Sequence, residues 1–186
     1  MKNDTNNING FKDLRIVDNF YQTSSFFPMP TTEIGTLSES GQTNLGSYSL
    51  CFPYYIAGKD YYAMLLCCRN SSNTAKNILR TGKCTINFIS DKEKFFEEAV
   101  RLGYPGETTE EKMKDCIFTL VDGKSAKDNK EEKYPKIIAE AFQVFECTWV
   151  RELDGAENDK VQEEYLPPYH NFNGITSKYG AHFILK

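Results

Sequence analysis

Between residues 31 and 87 the sequence alternates short apolar runs with two polar islands, and this stretch constrains the fold more than any other. Residues 33–37 read as a strand, Ser38-Glu39-Ser40-Gly41 as a tight turn, and residues 42–52 as the antiparallel partner. Pro28 and Pro30 bracket Met29 and force an extended entry into the first strand, and Pro53 ends the second. Residues 61–68 form a nearly continuous apolar run, the pattern of a strand buried on both faces. Residues 83–89 are a further strand, alternating Thr85, Asn87 and Ile89 against Cys84, Ile86 and Phe88.

The islands carry the chemistry. The second runs Arg69-Asn70-Ser71-Ser72-Asn73-Thr74-Ala75-Lys76-Asn77-Ile78. Ser72 or Asn73 caps a helix ending near Thr81, and Gly82 supplies the left-handed stop. A helix start offers unpaired N–H groups and partial positive charge to an anion, and the guanidinium of Arg69 binds phosphate oxygens in pairs. The same residues equally serve as a bare cap, so the island alone leaves both roles open. The first island is Asn44-Leu45-Gly46-Ser47-Tyr48-Ser49. A regular strand points Asn44, Tyr48 and Leu50 to one face and Ser47, Ser49 and Cys51 to the other. Both sets meet one ligand only across a bulge, or if one set acts through its backbone. Gly46 is the place for a bulge or a close backbone approach.

Beyond residue 89 the pattern turns helical. Ser90 or Asp91 caps residues 92–102, with Phe95, Phe96, Ala99 and Leu102 spaced for one face and Gly103 as the stop. Tyr104-Pro105-Gly106 is a turn, and Thr108 or Thr109 opens a short acidic helix reaching about Lys114. Residues 116–121 read as a compact strand, 122–133 as a charged, solvated loop, and 137–150 as containing one long strand with Phe142, Val144, Phe145, Cys147 and Trp149. The chain from Arg151 has a polar, hairpin-like segment, then Leu166-Pro167-Pro168-Tyr169-His170, and closes on an apolar run over 179–185. Residues 11–27 carry apolar weight without a clean period. Residues 1–18 are expected to be a loose arm and residues 19–186 a single domain. Six or seven strands with few short helices predict a mainly β protein, a barrel or sandwich with helical insertions.

Composition excludes several classes of partner. A net charge of −4 gives no basic footprint, so nucleic acid is not expected. No run of about twenty apolar residues exists, so no membrane span is expected. MKNDTNNING lacks the apolar core of a signal peptide. The six cysteines make no CxxC pair and only two histidines exist, so no metal site is expected, and a reducing cytoplasm fits best. Adjacent Cys67 and Cys68 lack the geometry of a relaxed disulfide and are read as core.

Several spacings taken together resemble those of the flavin reductase-like, FMN-binding split-barrel family. They are Pro-x-Pro before the first strand, Gly41-x-x-Asn44-Leu45-Gly46-Ser47-Tyr48-Ser49 after the turn, and Arg69-x-x-Ser72-Asn73-Thr74-Ala75-x-Asn77-Ile78-x-x-Thr81-Gly82. Ile137-Ile138-Ala139-Glu140-Ala141 leading to Glu146-Cys147, and the closing Gly180-Ala181-His182-Phe183, are similar to later segments of the family. The resemblance implies an FMN cofactor at a homodimer interface. It implies that Arg69, Ser72, Asn73 and Thr74 bind the phosphate, and that Asn44, Ser47, Tyr48 and Ser49 line the ring and ribityl chain. Asn77 stands with them as a binding residue or a brace of the loop. Residues 91–114 are longer and more helical than the family's minimal form and are expected to wall the ligand. His182 is either a hydrogen-bonded core histidine or a neighbour of the flavin; His170 is read as a surface or packing residue, and Trp149 as core or dimer surface. The implied activity is an oxidoreductase passing electrons from NAD(P)H through flavin to an acceptor. A flavin-binding electron carrier or sensor without nicotinamide activity, or a barrel kept for interaction only, are the alternatives.

Overall fold

Every residue of Thr32–Leu37 (β1) is buried, the carboxylate-bearing Glu33 included. In the computed structural model, which describes residues 30–55, 61–129, 131–151 and 173–186, β1 is an inner strand of an antiparallel sheet ordered β2-β1-β5-β8. Its neighbours are Thr43–Tyr48 (β2) and Lys83–Phe88 (β5), and Gln143–Thr148 (β8) lies beyond β5. The hairpin register runs unbroken from Thr32 opposite Tyr48 to Leu37 opposite Thr43, so Gly46 carries no bulge.

The second hairpin strand does not run on to Phe52. It stops at Tyr48, bends at Ser49 and restarts as Cys51–Tyr54 (β3) in a second sheet, ordered β3-β4-β10-β9. The bend turns Cys51 into the space between the sheets, and the Leu50 carbonyl accepts from the Cys67 N–H at 2.9 Å. Pro53 lies within β3 rather than after it, which an edge strand tolerates. The other strands of this sheet are Ala63–Arg69 (β4), Gly174–Ile175 (β9) and Gly180–Leu185 (β10). Thr148 and Lys186 exchange backbone hydrogen bonds of 2.7 and 2.8 Å, which joins the end of β8 to the end of β10. The two sheets thus close on a common core of Ile34, Cys51, Leu66, Cys84, Ile86, Cys147, Phe183 and Leu185. Trp149 stacks edge-on against Phe183 and donates to Asn173 Oδ1 at 2.7 Å, a packing role as expected. All six cysteines are free thiols.

The outer face of the first sheet is also covered. Glu93–Gly103 (α2) and Thr109–Lys114 (α3) pack on it, with Leu45, Phe95, Leu102, Met113, Phe118 and Ile138 in a second cluster. Burial on both faces is why β1 shows no alternation of polar and apolar residues. The buried stripe of α2 is Phe95, Glu98, Ala99 and Leu102, one every three or four residues. Phe96 falls off that stripe and is 52% exposed, contrary to the expected face. Neither Ser90 nor Asp91 caps α2; Lys92 occupies the cap position without a side-chain bond.

Three further expectations change. The long strand over 137–150 is two pieces, because Ile137–Ile138 (β7) pairs away with Leu120–Val121 (β6) before β8 begins. The strand over 116–121 is reduced to β6. The loop over 122–133 contains a short helix, Lys124–Asp128 (α4). The N-terminal arm, residues 11–27 and the segment with Leu166-Pro167-Pro168-Tyr169-His170 lie outside the described residues. Among those described, no helix is long and apolar enough to cross a membrane.

Candidate functional site

Asn73–Thr81 (α1) follows β4 and inserts Ala75 and Ile78 into the barrel core. Its cap is Ser72, whose Oγ accepts from the Ala75 N–H at 3.1 Å and donates to the Arg69 carbonyl at 2.7 Å. The Lys76 N–H bonds to the Ser72 carbonyl at 3.1 Å, which leaves the N–H groups of Asn73 and Thr74 without an acceptor among the described residues. At the other end Gly82 takes φ +69°, and its N–H closes on the Ile78 carbonyl at 2.7 Å. The turn before α1 is held by Asn70, which bonds the carbonyls of Tyr179 (3.1 Å) and Lys178 (2.9 Å). Arg69 is therefore presented, exposed, on a fixed turn beside the helix start.

That helix start opens into a cleft of about 720 Å³. One wall is Arg69, Ser71, Ser72, Asn73, Thr74 and Lys76. The other is the end of α2 and the turn into α3, residues 102–108, with Lys112 behind them. Part of the segment expected to wall a ligand does stand over this cleft. Asn44, Gly46, Ser47 and Tyr48 of β2 lie between the walls. β2 is the edge of its sheet, so the cleft runs along the edge and is reached from both faces. Asn44 and Tyr48 reach it from one face and Ser47 from the other, which resolves the alternation without a bulge. Gly46 serves the close approach instead: a Cβ there would lie 3.0 Å from Thr74 Oγ1 and 3.1 Å from Tyr48 Cε2.

The side chains are held from behind. Asn44 is buried and its Oδ1 accepts from Thr109 Oγ1 at 3.2 Å. Asn73 Nδ2 donates to the Glu107 carbonyl at 2.9 Å and so ties the two walls together. Burial pushes the Tyr48 phenol above its usual range, opposed by hydrogen bonds to the hydroxyls of Ser72 and Thr74. The Tyr48 hydroxyl thus sits at the helix start.

Two of the sequence-selected residues lie outside the cleft, along with His182. Asn77 is buried against β1, donating to Thr36 Oγ1 at 3.1 Å and accepting from Arg80, contacts that suit a brace. Ser49 and His182 line an adjoining hollow of about 430 Å³ with Leu50, Cys67 and Cys68, which meets the cleft at Ser47, Tyr48 and Arg69. Burial holds the His182 imidazole below its ordinary range, and Nδ1 lies 2.5 Å from Thr176 Oγ1.

Sequence reasoning passed over Glu33 and Lys112. Glu33 lies fully buried beneath the cleft, hydrogen-bonded to Ser47. Lys112 lines the cleft, is almost wholly buried and donates to the Leu102 carbonyl at 2.9 Å; burial lowers its pKa. A charged residue inside a strand otherwise composed of Thr, Ile, Gly and Leu was the available signal for Glu33. For Lys112 there was none, since acidic helices commonly carry exposed lysines.

No family model matches the chain, and no curated protein does. Solved structures do. Flavoredoxin from Methanosarcina acetivorans is 17% identical, with a TM-score of 0.60 over 95% of this chain and 73% of its own. Nitrilotriacetate monooxygenase component B from Bacillus cereus is 14% identical, with a TM-score of 0.62 over 96% of this chain and 80% of its own. An NADH:FAD oxidoreductase from Streptomyces globisporus is 12% identical, with a TM-score of 0.57 over 95% of this chain and 84% of its own. The architecture is therefore the split barrel. More narrowly, it is the form of that barrel found in flavin reductases and flavoredoxins.

Proposed function

We propose that the chain is a flavin-binding oxidoreductase of the flavin reductase type, with FMN as its flavin and NAD(P)H as its electron donor. The observation that carries this reading is the meeting of two features in one cleft. The α1 start, with Arg69, two N–H groups that have no acceptor among the described residues, and the Tyr48 hydroxyl, opens onto the edge of β2. The donor set fits a phosphate, and a cleft of this size suits a mononucleotide. Bound there, a flavin would supply the redox chemistry, and the protein would supply orientation and dipoles near the ring.

The residues divide the work. Arg69, Ser72, Asn73, Thr74 and Tyr48 would hold the phosphate, Arg69 through a charge-assisted fork. Asn44, fixed by Thr109, and Ser47 would orient the ring against the β2 edge. Residues 104–108 would exclude water from one side, and Lys112 would keep a positive charge close by. A homodimer is part of the same proposal, since the cleft is open on one side and apolar side chains such as Phe96 and Phe142 remain exposed.

The test compares FMN and riboflavin binding to the unmodified protein and to Arg69→Ala combined with Thr74→Ala. Each charge-assisted bond is worth on the order of 1.5–3 kcal/mol, so the double variant should lose FMN affinity at least tenfold more than riboflavin affinity. Equal losses would show that the phosphate does not sit at α1. Flavin bound without hydride uptake from NADH or NADPH would turn the reading to an electron carrier.

A further inference from the structure

Ser47 stands directly across from Glu33 in the β1–β2 ladder. Its hydroxyl oxygen lies 2.7 and 2.8 Å from the two Glu33 carboxyl oxygens and 2.6 Å from the Ala99 carbonyl oxygen. A serine hydroxyl has one proton to give, and a backbone carbonyl has none. With Glu33 ionised, Ser47 can serve either the carboxylate or Ala99, and the neglected oxygen is left facing Ser47 Oγ with no proton between them. One more proton gives both neighbours a hydrogen bond: one Glu33 carboxyl oxygen donates to Ser47 Oγ, and Ser47 donates to the Ala99 carbonyl.

The surroundings favour that protonated form. Glu33 is fully buried and makes no ion pair among the described residues. From β5, Asn87 gives its amide to the Glu33 backbone carbonyl at 2.9 Å, not to the carboxyl group. From α2, Glu98 adds negative charge, although Arg101 pairs with it. From α3, Lys112 opposes protonation, but its ammonium is committed to the Leu102 carbonyl. On β2, Tyr48 adds only a neutral phenol. Burial is the largest influence and lifts the Glu33 carboxyl to about 7.

The proton count bears on the cleft because Ala99 belongs to α2, whose end forms a wall. Ser47, Leu102 and Gly103 all line the cleft, and a Cβ at Gly103 would lie 3.8 Å from that of Ser47. The Ser47 to Ala99 bond pins this wall to β2. We propose that Glu33 is a positioning residue that acts as a proton-controlled latch: protonated, it frees Ser47 to hold the α2 wall, and ionised, it accepts the Ser47 hydrogen bond and releases the wall, so that flavin binding in the cleft is coupled to uptake of one proton from solvent. The coupling rests on the flavin reading of the cleft; the proton count at Ser47 does not.

Two measurements separate those parts. In ligand-free protein with ¹³C-labelled glutamate carboxyls, one glutamate should titrate near neutral pH, and its resonance should be missing from Glu33→Gln. If no glutamate titrates above the ordinary carboxylate range, the latch is refuted whatever the cleft binds. The second measurement is riboflavin affinity, chosen because riboflavin has no phosphate to titrate. Between about pH 6 and about pH 8 it should weaken about fivefold in the unmodified protein, the share of a tenfold change for one unit of pKa difference between free and bound states that falls in this window. In Glu33→Gln it should hold within about twofold, because a neutral amide donates to Ser47 at every pH. Ser47→Ala provides a second route should Glu33→Gln fold poorly: the carboxyl still titrates, but riboflavin affinity no longer follows it. Equal pH dependence in the unmodified protein and the variants would overturn the latch. Failure of every protein to bind riboflavin or FMN would instead refute the flavin reading and the coupling with it, with the carboxyl titration still deciding the proton count.

Discussion

Two carboxylates are buried between the first sheet and α2, and their neighbours send them in opposite directions. Burial raises the pKa of both. For Glu98 it is outweighed by Arg101, at 2.6 and 2.8 Å, with help from the Cys116 thiol and the Ile117 N–H, leaving that carboxyl below its usual range. For Glu33 only Ser47 and the distant Lys112 oppose burial, and the carboxyl rises from 4.5 to about 7. Between those values native Glu33 keeps a proton that the unfolded chain releases, so stability falls as pH rises through that window. The interval corresponds to about 3 kcal/mol at about 1.4 kcal/mol per pH unit. Urea unfolding at about pH 5 and about pH 8 should therefore show a loss of roughly that order in the unmodified protein and a much smaller one in Glu33→Gln. Glu98 works the other way: its contribution is present above the ordinary carboxylate range and is lost as pH falls through its lowered pKa. Glu98→Gln should accordingly lower stability at neutral pH, where the ion pair with Arg101 is lost, and flatten the acid side of the profile.

Among the elements, α1 serves both the barrel core and the cleft, and its two sides can be tested apart. Asn77 ties the helix to Thr36 of β1 and accepts from Arg80 within the same helix, on the side away from the cleft. Asn77→Ala removes the bond to the buried Thr36 hydroxyl and should cost about 1–3 kcal/mol in unfolding experiments, without changing the ratio of FMN to riboflavin affinity. Ser72→Ala should cost about 1 kcal/mol for the lost cap and should also weaken FMN, since it alters the helix start itself. A shift in the FMN to riboflavin ratio for Asn77→Ala would return that residue to the binding site. This helix was legible in the sequence from its cap to its glycine stop because both signals are local. The break between β2 and β3 was not, because nothing within residues 42–52 says that Cys51 will find its core in a second sheet. The exposure of Phe96 and the burial of Glu98 escaped for a related reason: apolar spacing defines a stripe, but only Arg101 and the Ile117 N–H make a carboxylate acceptable within it. Seven of the nine cofactor residues chosen from sequence line the cleft, since the two islands that held them lie on β2 and at the start of α1. Ser49 and Asn77 fall outside it because one bend and one helical turn carry them away.

At the scale of the molecule, the first sheet carries an apolar surface on β5 and β8, away from the β2 edge that lines the cleft. Phe142 and Phe145 gather around Phe88 with ring centres 6.2 and 5.9 Å away, and Phe142 is 69% exposed. A second copy would cover such a surface, so sedimentation at micromolar concentration is expected to give a dimer, and a monomer with flavin fully bound would count against the association. The chemistry makes a sharper demand. If the flavin carries the redox step, no side chain is needed as an indispensable acid or base. His182 is the residue that tests this, because it lines the hollow adjoining the cleft. Burial holds its imidazole below the ordinary range, so at neutral pH it is the uncharged form and is poorly suited to donate a proton. His182→Ala should therefore slow NADH-dependent flavin reduction by less than about a hundredfold, the lower end of general acid–base effects. Asn44→Ala should act differently, shifting the flavin midpoint potential or its occupancy by removing an amide beside the ring. Anaerobic stopped-flow reduction with FMN saturating distinguishes the two variants. Abolished reduction in His182→Ala, with flavin bound and the fold intact, would make the histidine a catalytic acid and overturn the assignment of the chemistry to flavin and dipoles alone.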